Sequence, residues 1–282
     1  MLPLSVCSLC VALMWSVSAL AVGMLEDCYA ESKLLSHAGQ PEKSTVVLLD
    51  ETTVFDELQR NQITEQLIAL IQPRTEIKVL SFSAYIGGRY TQPLLDLGFS
   101  APIEEKLRDT IRKPSLAKFD SCMRTQKYHA ESLIRRTLAD YYKRSSDKIP
   151  KSDIVGTVRD VGASVMSKIS AKVKRVLLVS DMLENSDITS FYSRGSVRRI
   201  DARRELALVE ARGMLTDLRH AKVFVIGAGI IHTDPSRPNT DEHRDQGTLQ
   251  ALRAFWSGYF EKSNARLIEF GQPLLLQPIG DR

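Results

Sequence analysis

The sequence predicts a doubly wound α/β fold, in which helices cover both faces of a mostly parallel sheet. Two short runs, 46–49 and 176–179, are wholly apolar, which is typical of strands buried on both faces. Segments with the 3.6-residue apolar spacing of helices alternate with such runs along the chain. Alternating strands and helices favour a parallel sheet with a helical layer on each side.

The predicted elements follow one another in a regular order, with one interruption. Strands are predicted at 45–49, 76–82, 175–180, 222–227 and 265–270, and helices at about 55–71, 103–111, 123–143, 152–169, 199–218 and 246–262. Residues 86–120 break the rhythm with several glycines and prolines, and we predict an irregular insertion there, with only the short helix at 103–111.

Length and composition indicate one large globular domain, or one domain with insertions. The chain has 282 residues, of which 43% are hydrophobic, which is enough for one large core. The net charge is +4, and the basic residues are scattered without interleaved aromatic side chains, so we expect no nucleic-acid partner. Arginines 198, 199, 203 and 204 most simply line a solvated helix face, although they could bind an acidic partner or an anionic membrane surface.

The first residues resemble a secretory leader. Residues 1–22 carry no charged side chain, 4–20 are an apolar stretch, and Ala19-Leu20-Ala21 has the small-x-small pattern of a cleavage site. We therefore predict a signal peptide at 1–21 and a periplasmic or otherwise exported protein. No Lys or Arg precedes the apolar stretch, so an inner-membrane N-terminal anchor and a start at Met24 remain alternatives. A surface segment at 22–44, a domain at 45–272 and a tail at 273–282 complete the predicted organisation.

Two cysteines remain after the predicted cleavage. Cys28 and Cys122 form an even pair, which could be joined by a disulfide in an oxidising compartment. The alternative is two unrelated thiols. Neither cysteine has the spacing of a metal ligand.

Two carboxylates mark the predicted site. Asp50 and Asp181 directly follow apolar strands, and Thr52 and Thr53 lie beside Asp50. In parallel sheets, ligands bind beyond the carboxyl ends of the strands. The two aspartates could bind a metal, or they could be polar strand ends that cap the following helices.

From 45 to about 270 the order of elements resembles the von Willebrand factor A (VWA) domain, a Rossmann-type three-layer sandwich. That family carries a metal-ion-dependent adhesion site, and the resemblance places Asp50, Thr52 and Asp181 in it. Val54 stands where the family has its last hydroxyl, so the site is degenerate. The resemblance implies weak binding of Mg²⁺ (or Ca²⁺ or Mn²⁺) and no other cofactor, with Thr53 and Thr125 as further candidate ligands.

Two strings of residues are similar to those of a group of bacterial exported VWA-like proteins of unassigned activity. They are Ser-Asp-Met-Leu-Glu-Asn-Ser at 180–186 and Phe-Trp-x-x-Tyr-Phe at 255–260. Residues Glu184, Asn185, Ser186 and Asp187 form a polar loop beside Asp181, which we interpret either as a partner-binding rim or as an ordinary exposed turn.

The predicted function is an exported protein–protein interaction module with a degenerate adhesion site, part of a bacterial envelope assembly, and not an enzyme. Its protein partner is unknown, and membrane contact is expected only through a retained N-terminal segment. One alternative is a metal-dependent hydrolase, a phosphatase of the haloacid-dehalogenase type, although Thr52 stands where that family needs a second Asp. Another is a scaffold with a vestigial site that makes its contacts through residues 86–120.

Overall fold

The computed structural model describes residues 22–83, 91–149, 151–193, 196–230 and 246–279. The predicted leader at 1–21 lies outside the described residues, as do residues 86–90 of the predicted insertion. Among the described residues, no helix has the length and apolar character needed to cross a membrane.

A seven-stranded sheet forms the centre of the fold. The described strands are β1 (Gly23–Met24), β2 (Lys43–Asp50), β3 (Thr75–Phe82), β4 (Thr91–Phe99), β5 (Val173–Val179), β6 (Tyr192–Ser193), β7 (Ser196–Val197), β8 (Ala221–Ile226) and β9 (Ala265–Phe270). The sheet order is β1-β4-β3-β2-β5-β8-β9, and β6 pairs with β7 separately. Every neighbouring pair in the sheet is parallel except β3 with β4. The predicted mostly parallel α/β fold is therefore confirmed.

Helices cover both faces of this sheet. They are α1 (Cys28–Glu31), α2 (Glu57–Ala69), α3 (Glu105–Arg108), α4 (Lys113–Arg144), α5 (Ile154–Ser164), α6 (Ala202–Ala211) and α7 (Gln246–Lys262). Local sequence sets their ends. Asp56 accepts a 2.8 Å hydrogen bond from the backbone N of Gln59, whose side chain bonds back, so a capping box begins α2. Gly213, at φ +65°, ends α6 earlier than predicted, since glycine readily takes this conformation.

The central strand β2 shows why its sequence is an unbroken apolar run. Val46 and Leu48 point into a core shared with α5, α6 and α7, whereas Val47 and Leu49 point into a second core shared with α2 and α4. Successive side chains of a strand face opposite sides of the sheet, so a strand with helices on both sides has no polar face. All four side chains are completely buried.

The prediction of an irregular insertion at 86–120 is wrong for residues 91–99 and 113–120, which lie in β4 and α4, whereas the short helix predicted at 103–111 is present as α3. Residues 91–99 form β4, antiparallel to β3, with Leu95, Leu97 and Phe99 buried and Asp96 between them exposed. This alternation is the pattern of a strand, but Pro93 and Gly98 concealed it. Pro93 lies at a register shift near the sheet edge, where a proline is tolerated. Pro114 lies in the first turn of α4 and so does not interrupt that helix.

The N-terminal segment is more than the predicted surface stretch. Its strand β1 pairs with β4 at the sheet edge, with Gly23 opposite Leu95. Cys28 is completely buried and forms a disulfide with Cys122 of α4, so of the two open interpretations the structure has the disulfide. At the other end of the chain, the tail packs on α2, where the backbone N of Leu275 donates a 2.9 Å hydrogen bond to Gln62.

Candidate functional site

Asp50 lies at the carboxyl end of β2 and its side chain is completely buried. Its Oδ1 accepts hydrogen bonds from the backbone N and the hydroxyl of Thr52, at 2.9 and 2.6 Å. Its Oδ2 accepts from the hydroxyls of Ser152 and Ser180, at 3.0 and 2.7 Å. The Tyr141 hydroxyl of α4 donates to the Asp50 carbonyl at 2.7 Å. One residue thus connects its own turn, the loop before α5, the loop after β5 and helix α4.

Asp181 lies just beyond the end of the adjacent strand β5, and its carboxylate accepts fewer hydrogen bonds than that of Asp50. Its Oδ1 accepts one hydrogen bond, of 2.9 Å, from the backbone N of Leu183, and no described residue offers its carboxylate a second. The backbone N of Asp181 donates to the Thr53 hydroxyl at 3.2 Å, and its carbonyl accepts from Gly229 at 2.8 Å. The side chain is only 6% exposed. Asp181 is therefore held firmly by its backbone, while its carboxylate is poorly compensated.

The two aspartates differ in their electrostatics. Burial, followed by the negative charge of Asp50, raises the pKa of Asp181 well above its ordinary value. Burial also raises the pKa of Asp50, but the hydrogen bonds from Thr52, Ser180 and Ser152 oppose that rise. The carboxylates form a coupled pair, in which we assign the first proton to Asp181. Burial and the nearby Asp181 and Asp50 also raise the pKa of Tyr192, which places this phenol beside the pair.

The residues at the strand ends have the chemistry that a hard cation needs. All the candidate ligand atoms are oxygens. They belong to the carboxylates of Asp50 and Asp181 and to the hydroxyls of Thr52, Ser152 and Ser180. Mg²⁺ prefers such ligands and commonly keeps several waters. A cation would also relieve the repulsion between the two carboxylates. Among the described residues, however, no group of three or more His, Cys, Asp or Glu forms a metal cluster, so the charge of the protein ligands is low.

The structure does not bring Thr125 to this site. Its hydroxyl donates to the Cys122 carbonyl at 3.1 Å, near the disulfide. Thr125 lies 16 residues before Tyr141 on α4, the residue that contacts Asp50. At about 1.5 Å per residue the two are separated by roughly 24 Å along the helix. Thr125 is therefore ruled out as a ligand by distance.

Ser152, and not Thr125, places a further hydroxyl beside Asp50. It precedes Asp153, whose side chain caps α5 by accepting from the backbone N of Gly156 at 2.8 Å. Sequence reasoning missed Ser152 because its role depends on the loop before α5 reaching β2 in space. A signal did exist, since two adjacent N-cap residues stand directly before the apolar residues Ile154 and Val155.

The predicted rim needs a correction at Glu184, which is completely buried. Its Oε2 accepts hydrogen bonds from the backbone N atoms of Ile154 and Val155, at 3.0 and 2.9 Å, so the side chain caps α5. A side chain in that position cannot contact a partner. Its pKa is raised to about 8, chiefly by burial and also by the charge of Asp153, against the lowering effects of Ser186 and the two backbone donors.

The other three rim residues are more accessible than Glu184, and their exposure differs. Asn185 and Ser186 are half-buried, and the backbone of Asn185 pairs with that of Ser152. The Asp187 side chain is 93% exposed and forms an ion pair with Lys151. The surface at the strand ends therefore includes Asp187 and Lys151, beside the exposed Ser193.

The two strings that suggested a family resemblance contact each other. Trp256 of α7 is completely buried, and its Nε1 donates a 2.8 Å hydrogen bond to the carbonyl of Met182. Met182 has a positive φ of 63°, which is uncommon outside glycine. The indole thus holds the turn that directs Asp181 and Ser180 towards Asp50. The aromatic residues of the 255–260 string are all buried in the core on this face of the sheet.

No known family model matches the chain, and no curated protein matches it. Among solved structures, the chain is similar to the SpRpn10 VWA domain, at 11% identity and a TM-score of 0.29, with 83% of this chain and 90% of that chain covered. It is also similar to an aerotolerance-related membrane protein from Bacteroides fragilis, at 11% identity and a TM-score of 0.31, with 81% and 92% covered. The mostly parallel sheet between two helical layers agrees with the three-layer sandwich that the predicted resemblance implies. At these values the function of neither protein is transferred to this chain.

Proposed function

We propose that the protein is an exported protein–protein interaction module of a bacterial envelope assembly, with its partner-binding face at the carboxyl ends of the strands. The observation that carries this proposal is the position of Asp50, whose carboxylate and carbonyl join three loops and α4 by hydrogen bonds. A surface fixed in this way is preorganised, and preorganisation reduces the entropy lost on binding.

The bonding of Asp50 also argues against the phosphatase alternative. A nucleophilic carboxylate must present a free oxygen to phosphorus, whereas each oxygen of Asp50 accepts two hydrogen bonds. Thr52 uses its hydroxyl as one of those donors, at the position where a phosphatase would need a second acid. The arrangement favours a structural and recognition role.

Site-specific crosslinking tests the location of the interface. A photoreactive residue would be placed at the exposed rim positions Asp187 and Ser193, with Lys172 and His220, at the opposite ends of the strands, as matched exposed controls. We expect discrete crosslinked species from the rim in the native host and none from the controls. Equal products from both sets, or products from the controls alone, would place the interface elsewhere.

We further propose that Mg²⁺ binds weakly here, with Asp181 and the hydroxyls of Thr52, Ser152 and Ser180 as ligands, while the Asp50 carboxylate orients those hydroxyls and supplies the second negative charge. Thermal unfolding with EDTA, Mg²⁺, Ca²⁺ or Mn²⁺ tests this, because a ligand at one hundred times its Kd stabilises the folded state by about 2.7 kcal/mol. The stabilisation should disappear in Asp50→Ala and Asp181→Ala. If no cation shifts the unfolding midpoint of the wild type, the metal proposal is wrong and the interaction proposal stands without it.

A further inference from the structure

A basic groove lies beside the strand-end face, at the start of α6. It has a volume of about 660 Å³ and is lined by Arg199, Ile200, Asp201, Ala202, Arg203, Leu206 and Ala254. Ligand pockets commonly span about 300–1,000 Å³. The groove therefore combines two arginines with an apolar floor formed by α6 and α7.

The arginines of this region have different roles. Arg198 is tied into the fold, since it donates to the Ser190 carbonyl at 2.7 Å and to Glu205 at 2.8 Å. Glu205 also accepts a 2.6 Å hydrogen bond from Thr189, so its carboxylate is already compensated. Arg199 and Arg203 are exposed, and neither forms an ion pair with any described residue.

The position of Arg203 does not serve the stability of α6. It lies in the first turn, where the helix dipole disfavours positive charge, and Asp201 already caps the helix by accepting from the backbone N of Arg204 at 3.1 Å. A cation that lines a groove without an ion-pair partner among the described residues is available to an external anion. The same groove contains Arg199, whose planar guanidinium adds a second set of N–H donors.

The lining points to one kind of anion. Asp201 is exposed in the groove and offsets one of its two positive charges, so a dense polyanion such as a polyphosphate is poorly matched. Arginine forks pair with carboxylates in a planar, bidentate geometry. Leu206 and Ala254 provide apolar contacts between the charged groups. An acidic peptide segment with an apolar side chain meets all three conditions.

We infer that this groove binds an acidic, partly apolar segment of a protein partner, with Arg199 and Arg203 pairing with its carboxylates. This inference rests on the proposed interaction function and names the partner chemistry. The groove adjoins the strand-end loop through Arg198, which joins α6 to Ser190, so one partner can contact both surfaces.

A peptide array tests the inference with the full-length protein. The probe is a set of random amphipathic peptides, each in three matched versions carrying Glu/Asp, Gln/Asn or phosphoserine at the same positions. We expect preferential binding of the carboxylate version, and at least a tenfold loss of affinity in the Arg199→Gln/Arg203→Gln variant. The matched control is Arg135→Gln/Arg136→Gln on the exposed face of α4, which removes the same charge and should bind like the wild type.

Three results would overturn the inference: no preference for carboxylate peptides, equal loss in the control variant, or a preference for the phosphoserine version. Binding to vesicles containing 30% phosphatidylglycerol would overturn it too if it required Arg199 and Arg203, because a membrane surface would then be the ligand. The crosslinking experiment separates the two proposals. Rim crosslinks that persist in the Arg199→Gln/Arg203→Gln variant would preserve the interaction function while this inference fails.

Discussion

The ends of the adjacent strands β2 and β5 carry the same residue in very different surroundings. Asp50 at the end of β2 accepts four hydrogen bonds from three residues. Asp181, two residues beyond β5, accepts one from the described residues and faces the charge of Asp50. Both side chains are buried. Burial raises the pKa of both carboxyl groups, and hydrogen-bond donors oppose that rise, so the two aspartates differ mainly in how many donors contact them.

This difference assigns separate tasks to the two residues. Asp50 is suited to remain ionised and to organise the loops around it, since hydroxyl and amide donors stabilise a buried carboxylate. Asp181 is suited to hold a proton or to share a cation with Asp50, since either would remove the repulsion. Glu184 resembles Asp181 more than Asp50. Two backbone N atoms donate hydrogen bonds to it, and its pKa is still raised to about 8.

Removing the donors of Asp50 should have the largest effect on stability. Ser152→Ala with Ser180→Ala leaves Oδ2 of a buried carboxylate without both of its hydroxyl donors. We expect a loss of about 3–5 kcal/mol in the free energy of unfolding, measured by urea denaturation at pH 7, since a hydrogen bond to a charged group contributes roughly 1.5–3 kcal/mol.

The matched control for that variant is Ser164→Ala with Ser167→Ala. Both serines are exposed, and their hydroxyls donate to helix carbonyls at 2.6 Å. The control therefore removes the same two hydroxyl groups without affecting a buried charge. We expect the control to stay within about 0.5 kcal/mol of the wild type. A similar loss in both double variants would mean that the Asp50 carboxylate does not depend on its donors.

Glu184 should make stability fall as the pH rises. Its pKa is about 8 in the folded protein and 4.5 ordinarily, so the folded state binds more protons between these values. The contribution of Glu184 to the free energy of unfolding is fully present below pH 4.5 and is lost as the pH rises to 8. Glu184→Gln mimics the protonated form and should be more stable than the wild type at pH 9 by about 2–4 kcal/mol, with little difference at pH 4.5.

Unfolding by urea at a series of pH values measures this difference, with Asp187→Asn as the control. Asp187 is exposed and its pKa is lowered by Lys151, so its change has the opposite sign and acts only at acidic pH. Parallel pH profiles for the wild type and Glu184→Gln would show that Glu184 is ionised throughout, contrary to its buried position.

Asparagine substitutions at the two aspartates should act in opposite directions. In Asp50→Asn the side-chain NH₂ group must lie against hydrogen-bond donors. We therefore expect a loss of about 1–3 kcal/mol in the free energy of unfolding. In Asp181→Asn the carbonyl still accepts from Leu183, and the repulsion from Asp50 is removed, so stability at pH 8 in EDTA should be unchanged or higher. Denaturation of both variants under identical conditions measures this. Equal destabilisation would show that the two aspartates have equivalent surroundings.

The sequence predicted the parts of this site that depend on strands, and missed those that depend on neighbouring loops. Asp50, Thr52 and Asp181 could be found because each lies within three residues of an apolar run. Ser152 and Glu184 could not be assigned, because Ser152 is 102 positions from Asp50 and Glu184 is 30 from Ile154, the partners that give them their roles. The five predicted strands were found from local apolar residues, which are continuous in β2 and β5 and interrupted by polar ones in β3 and β9, whereas β4, which contains Pro93 and Gly98, was not predicted.

The smallest predicted effect concerns the backbone of Asp50. Tyr141→Phe removes a neutral 2.7 Å hydrogen bond to the Asp50 carbonyl and leaves a buried ring otherwise unchanged, so we expect a loss of about 1 kcal/mol. Tyr142→Phe is the control, since its hydroxyl donates a longer hydrogen bond, of 3.5 Å, to the Arg60 carbonyl, and it should change stability less. If α4 orients the β2 end as the geometry indicates, Tyr141→Phe alone should also weaken rim crosslinking from Asp187. A loss of stability without that effect would limit Tyr141 to packing, and the strand-end loops would then be organised by the Asp50 side chain without α4.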